Sequence, residues 1–278
     1  MDLEKLLDYA GEDRMVSSHE LAERLGDAPP KTAKVGIETL DRILEGVEPG
    51  ELVIVTGPSG EGKTTLLMTI TQNLTETSAW FTLEVTPQQF IRKMKARGKL
   101  PLFYLPNENT ENHIKWLEER IIESVVKFNT RIIFIDHIHM ILSLAKMQGN
   151  VSLEIGDVVQ RLKQLAVKYN LIMFLIAHCT DNKVAPTAEI RKEDIRDSGM
   201  IVRIADTVIG VWRVKNDDEI GSKRRPTDLD EADNKAKIRV LKNRRTGGVG
   251  ALFLWHHNHY LTEHDTRYPY DANGEQII

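Results

Sequence analysis

Cysteine is almost missing from this chain: Cys179 is the single example among 278 residues. One thiol excludes an intrachain disulfide and a cysteine-rich zinc module, and it suits a reducing compartment. No apolar run approaches the roughly 18 residues that cross a bilayer. Positive charge is not in excess either. Lys and Arg number 37 against 41 Asp and Glu, for a net charge of −4. Nucleic-acid binding by bulk charge is thereby excluded, and any such contact must come from local patches. No internal repeat is visible. The stretch MDLEKLLDYAGEDR is too acidic and too broken for a signal peptide. These absences lead to the expectation of a soluble, cytoplasmic protein with no membrane contact. What is present is 41% hydrophobic and 28% charged, a composition that buries a core. The length suits one large α/β domain, alone or with a small appendage.

Residues 1–34 read as that appendage. Leu3, Leu6, Leu7 and Ala10 make a short amphipathic stripe, and SSHE (Ser17–Glu20) fits a capping box before a second short helix that Gly26 stops. GDAPPK then reads as a linker. From Val35 onward apolar strand patterns alternate with helical ones. Glu51–Thr56, Ala79–Glu84, Arg131–Asp136, Leu171–Ala177 and Thr207–Trp212 are expected strands. Helices are expected after the first of these, from Thr86-Pro87, along Ile114–Phe128, and where Val158, Val159, Leu162, Leu165 and Ala166 form a stripe. The end of the chain reads as hairpin strands: Lys237 onward, Ala251–Trp255 and His259–Thr262. Apolar strands alternating with helices predict an α/β fold, a mostly parallel sheet covered on both faces, with a C-terminal β-hairpin extension. Gly221–Asn234 is a polar loop.

GPSGEGKTT (Gly57–Thr65) matches the pattern G-x-x-x-x-G-K-[ST], between an expected strand and an expected helix. Gly57, Pro58, Ser59, Gly60, Glu61, Gly62, Lys63, Thr64 and Thr65 would cradle the phosphates of ATP with backbone amides and a helix N-terminus. Lys63 would reach the β- and γ-phosphates, and the Thr64 hydroxyl would ligate Mg²⁺. The alternative is a plain glycine turn, which the flanking strand and helix argue against. RIIFID ends in Asp136 after four apolar residues, the form of a Walker B strand whose carboxylate holds Mg²⁺. Glu84, ending AWFTLE, is the candidate for orienting the attacking water, against the plainer reading of a solvated strand-end carboxylate. LIMFLIA delivers His178 to the same sheet edge, where it would contact the γ-phosphate, against the plainer reading of a satisfied structural histidine. His137 and His139 read as structural or channel-lining. His256, His257 and His259 lack a nearby cysteine and a fourth ligand, so a metal site is not expected there.

Beyond the phosphate loop, WFTLEVTPQQFIRKM, IIFIDHIHMI, FLIAHC, DIRDSGMIVRIADTVIGVWR and LKNRRTGGVG follow in order. That order resembles the RecA-like core of replicative hexameric helicases, the DnaB family, over roughly Gly36 to Glu263. His178 resembles the γ-phosphate sensor of the phage and Twinkle-like branch. The resemblance implies a RecA-like P-loop fold and an ATP hydrolase that drives a helicase. Its domains would be 1–34 as a helical arm, 35–265 as the ATPase and 266–278 as a tail. It implies Glu84 as catalytic base. It implies Lys242 and Arg244 as cations that reach a neighbouring subunit's nucleotide, against the plainer reading of a basic hairpin or a DNA patch, while Arg245 receives no role. The DNA loops it implies are Ser143–Gly156, carrying Lys146, Gln148 and Asn150, and Thr180–Gly199. In the second, Arg196, Asp197 and Gly199 would grip the single-strand backbone, with Lys183, Arg191 and Lys192 adding charge. The implied partners are single-stranded DNA, copies of the same chain in a hexameric ring, and replication proteins such as a primase or loader. The implied setting is a bacterial or phage-infected cell, or an organellar matrix. Only residues 1–34 precede the core here. Primase coupling through the usual N-terminal domain is therefore not expected, and the short arm would serve as a linker docking on the next protomer. Two rivals stand beside this reading. One is an ATP-gated assembly protein resembling RadA or KaiC, without processive unwinding. The other is an inactive helicase core that only binds, which intact Lys63, Thr64, Glu84 and Asp136 argue against.

Overall fold

The run LVIVTG is buried at every position as strand β1 (Leu52–Gly57). A strand apolar on both sides belongs in the middle of a sheet with helices on both faces. The computed structural model describes residues 9–11, 14–26, 31–108, 113–138, 151–179, 192, 195, 198–214, 235–257 and 260–264. By its contacts the chain divides into Met1–Lys31 and Thr32–Ile278.

The larger unit is built on a nine-stranded sheet in the order β3-β2-β4-β5-β1-β6-β7-β8-β9. These strands are β2 (Ser78–Thr82), β3 (Phe103–Tyr104), β4 (Ile132–Asp136), β5 (Ile172–His178), β6 (Thr207–Arg213), β7 (Lys235–Asn243), β8 (Gly250–His257) and β9 (Tyr260–Thr262). β3 through β6 in that order pair in parallel, whereas β7, β8 and β9 add antiparallel. Side chains along a strand alternate between faces. In β1, Val53 and Val55 enter one core layer, and Leu52 and Ile54 enter the other. The first layer takes Leu40 and Leu44 of a short helix at Glu38–Leu44, Leu66 and Leu67 of Lys63–Asn73, and Phe90 and Met94 of Pro87–Lys95. The second takes Leu117 and Ile121 of Ile114–Phe128, Val159 and Leu162 of Val151–Tyr169, and Ile201 of Ser198–Ile204. With the arm helix Ser18–Leu25 as α1, these helices are α2 to α7 in chain order. Among the described residues no helix is long and apolar enough to cross a membrane.

The mostly parallel sheet, its two helical layers and the antiparallel extension are as the periodicity predicts. Local signals also act as read. Thr86 caps α4 in a full capping box with Gln89, and Pro87 opens the helix. Several details differ. Only half of the predicted box forms at α1: Ser17 Oγ accepts from Glu20 N at 3.0 Å, while the Glu20 carboxylate accepts from Arg14 at 2.7 Å instead. Leu3, Leu6 and Leu7 lie outside the described residues, as do His139 and His259. Strand β2 stops at Thr82, so Glu84 stands beyond the strand rather than ending it. Val151–Gly156 belong to α6 and not to a loop, because Ile155 continues the buried stripe of that helix backward. Gly156 sits where a Cβ would meet the Met200 side chain at 3.1 Å.

Candidate nucleotide site

Parallel strands deliver their C-terminal ends to one edge of the sheet. β1 ends at Gly57, and the chain turns into α3 at Lys63. Gly60 (φ 77°) and Gly62 (φ 105°) hold left-handed backbone that a side chain would strain. No side chain caps α3, so its first amides face the turn. Lys63 is only 4% exposed, and its Nζ donates to the carbonyls of Gly57 at 2.9 Å and Pro58 at 2.7 Å. Burial pushes its pKa down, against the opposing pull of Cys179, Asp136, Glu84 and Glu61.

Asp136 ends β4, two positions from β1 in the sheet. The Thr64 hydroxyl donates to Asp136 Oδ2 at 2.7 Å, so the two expected Mg²⁺ ligands touch. Burial raises the Asp136 carboxyl to about 6, with the Glu84 charge adding to the rise and Thr64 and Lys63 opposing it. Glu84 is brought to Asp136 by pairing. Thr82 and Asp136 are in register, and Leu83 N donates to Asp136 O at 2.8 Å just before Glu84. His178 ends β5 opposite Gly57. A cavity of about 310 Å³ is lined by Ser59, Gly60, Gly62, Lys63, Thr64, Thr65, Glu84, Asp136 and His178. Larger cavities lie beside α5 and α4, at about 540 and 580 Å³, but neither holds a phosphate loop. Chemistry rather than volume marks the site.

Sequence reasoning missed three residues here. Lys93 of α4 and Arg213 of β6 line the cavity. The Arg213 amide donates to Glu61 Oε2 at 2.7 Å, tying the loop to β6. His137 packs edge-to-face on His178, with ring centroids 4.3 Å apart, and burial lowers its pKa. Its place was not legible, because it meets His178 only through the pairing of β4 with β5.

Lys242 and Arg244 are elsewhere. Lys242 pairs with Val208 near the start of β6, which is level with Ile54 of β1. Ile54 is three residues before Gly57, so Lys242 stands about 10 Å short of the phosphate loop at roughly 3.3 Å per residue along β1. Lys242 Nζ donates to the carbonyls of Val202 at 2.7 Å and Ala205, and Arg244 to Arg203 O and Asp206 Oδ1. Both cations cap the carbonyl end of α7. Arg245 instead grips the carbonyls of Leu44 and Gly46 at 2.8 Å and the Glu51 carboxylate at 3.1 Å. That clamp gives Arg245 a structural role. Of the expected DNA contacts, Lys146, Gln148, Asn150, Lys183, Arg191, Arg196 and Asp197 lie outside the described residues. Lys192 is exposed. Gly199 is the second residue of α7, in open space. Ile195 is buried and bridges to Cys179, which fixes the chain just before α7.

Comparison with known proteins follows the same lines. The family model of the DnaB-like helicase C-terminal domain matches residues 33–100 and 99–264. RadA, a DNA repair protein of Streptococcus pneumoniae, is 31% identical over 53% of this chain and 34% of its own length. The replicative DNA helicase DnaB of Mycoplasma genitalium is 23% identical over 79% of this chain and 53% of its own. The chain thus spans about half the length, or less, of these relatives. A solved DnaB-like replicative helicase, studied with its primase interactions, superposes at a TM-score of 0.72, with 16% identity over 95% of this chain and 70% of that one. A KaiC-like protein of Pyrococcus horikoshii superposes at 0.61, with 17% identity over 85% of this chain and all of that one. With the Gly57–Thr65 loop, Asp136 at the end of β4 and a RecA-like sheet in one chain, and the family model spanning nearly all of the larger unit, this protein belongs to the DnaB-like helicase C-terminal domain family.

Proposed function

We propose that the chain is an ATP-driven translocase on single-stranded DNA, of the replicative helicase type, working in a ring whose nucleotide sites lie between subunits. The observation that carries this reading is the separation of two half-sites. Gly57–Thr65, Glu84, Asp136 and His178 gather at one end of the sheet, and Lys242 and Arg244 stand at the other. In a ring, the second half-site of one protomer meets the first half-site of the next.

Lys63 exchanges its bonds to the loop carbonyls for phosphate oxygens. Thr64 and Asp136 offer a hydroxyl and a carboxylate oxygen, hard donors that suit Mg²⁺ and would hold it. A cation held there offsets phosphate charge. Glu84 orients water and takes its proton, and His178 senses the γ-phosphate. Lys242 and Arg244 stabilise charge on the neighbour's γ-phosphoryl group, an effect worth roughly 10³–10⁵ in rate. To do so they leave the carbonyl end of α7. α7 begins at Ser198, inside the Asp-Ile-Arg-Asp-Ser-Gly stretch, so their departure connects hydrolysis to the segment carrying Lys183, Arg191, Arg196, Asp197 and Gly199. That segment grips phosphates without reading sequence. The ATPase domain is placed at 35–265 and the partners are further copies of the chain, a hexamer, with a primase or loader; the setting is cytoplasmic.

The RadA relative and the KaiC-like fold support a second reading, an ATP-gated assembly protein. Steady-state ATPase with and without single-stranded DNA separates the two. The translocase reading expects strong stimulation. A rate indifferent to DNA transfers the assignment to the assembly protein.

A further inference from the structure

We propose that Glu84, His137 and His178 form a binding site for a divalent transition-metal ion of the zinc class, distinct from the Thr64–Asp136 pair. Each offers one ligand atom, and these atoms lie within 4.8 Å of one another. The fold explains the convergence. β2, β4 and β5 are consecutive strands in the sheet. Glu84 follows β2, His137 follows β4 and His178 ends β5, so neighbouring strand ends present the donors side by side.

Two imidazoles and a carboxylate are a donor set suited to zinc, cobalt or nickel. Mg²⁺ prefers oxygen and keeps its waters, so it is the wrong ion for this set. Donors around a tetrahedral ion at about 2.1 Å stand roughly 3.4 Å apart. No pair here therefore has to close by more than about 1.4 Å. The Lys63 ammonium opposes a cation nearby, and the Asp136 and Glu84 carboxylates offset it. Three protein ligands leave a position open toward the cavity, as in zinc sites that bind water or an anion. An ion there occupies the proposed base and phosphate sensor together, which makes the site inhibitory. That consequence rests on the nucleotide reading, whereas ion binding itself does not.

The test titrates Co²⁺ and Zn²⁺ into the tag-free full chain without nucleotide, following cobalt visible absorption and zinc calorimetry. One site with the intense absorption of low-coordinate cobalt is expected. Its affinity should fall at least tenfold in each of His137→Ala, His178→Gln and Glu84→Gln. His178→Gln keeps a polar side chain of similar reach, so fold loss in His137→Ala, read by circular dichroism, leaves the question answerable. Unchanged affinity in these variants, or loss of binding only in His256→Ala with His257→Ala, overturns the site. Zinc should also inhibit wild-type ATPase, and the zinc concentration that halves the rate should rise at least tenfold in His137→Ala, measured against that variant's own zinc-free rate. Binding without inhibition overturns the inhibitory role and leaves the site standing; ATPase failing altogether while cobalt still binds counts against the nucleotide reading alone.

Discussion

Asp136 is a carboxylate that burial holds near pH 6, where an exposed one titrates near 3.8. Its folded pKa lies above its unfolded one. The ligand-free folded state therefore keeps a proton that the unfolded chain releases between those values. Stability from this group is greatest below pH 4, declines as pH rises to about 6, and is flat beyond. The decline amounts to about 3 kcal/mol at 1.36 kcal/mol per unit. Denaturant titrations of ligand-free wild type and Asp136→Asn should diverge across pH 4 to 6, with wild type losing more; parallel curves would refute the buried charge. On the proposed role of Asp136, cation-dependent nucleotide affinity should have the opposite slope, because only the ionised carboxylate would hold a cation. It should weaken below pH 6 in wild type, by up to tenfold per unit. At this scale the phosphate loop, Asp136, Glu84 and His178 were legible, because each follows or ends an apolar run. Lys93, His137 and Arg213 were not, since nothing local links them to the loop. They arrive through α4 packing and strand pairing.

At the scale of elements, Asp206 joins pieces no sequence signal marks. Its Oδ2 accepts from Leu52 N at 2.8 Å and Lys163 Nζ at 2.6 Å, and its Oδ1 accepts from Arg244 at 3.3 Å. Asp206 thus ties α6 and β7 to the start of β1. Asp206→Ala leaves the buried Leu52 amide without its acceptor and strips the carboxylate from Lys163, which keeps the Gly50 carbonyl, and should cost about 2–4 kcal/mol by denaturation. A loss under about 1 kcal/mol would mean water replaces the carboxylate. The packing counterpart is Phe134, fully buried in β4 between the rings of Trp80 at 4.7 Å and Phe174 at 5.1 Å. Phe134→Ala should cost about 3–5 kcal/mol, measured the same way. The long elements were legible because a helical or apolar period repeats several times along each. β3 has two residues, too few to show a period. α7 has seven, close behind a polar stretch that reads as loop. For Lys242 and Arg244 the density of charge was visible. Their hold on the carbonyl end of α7 was not, since it depends on how α7 packs against α6 and β1.

For the whole molecule, the two half-sites at opposite ends of the sheet make oligomerisation a chemical requirement of the proposed reaction. On this proposal an isolated protomer keeps Lys242 and Arg244 on α7 and should hydrolyse slowly. The N-terminal unit contributes α1, whose residues are all at least partly exposed, Leu25 at 70% and Leu21 at 45%. The most direct measurement is single-stranded-DNA-stimulated ATPase of Arg244→Ala, of Glu84→Gln, and of an equimolar mixture of the two. Each variant alone should lose activity. In mixed assemblies, some interfaces pair an intact Glu84 from one protomer with an intact Arg244 from the next, so the mixture should recover part of the wild-type rate. Arg244→Ala near wild type, or a mixture no better than its components, would contradict a nucleotide site shared between subunits.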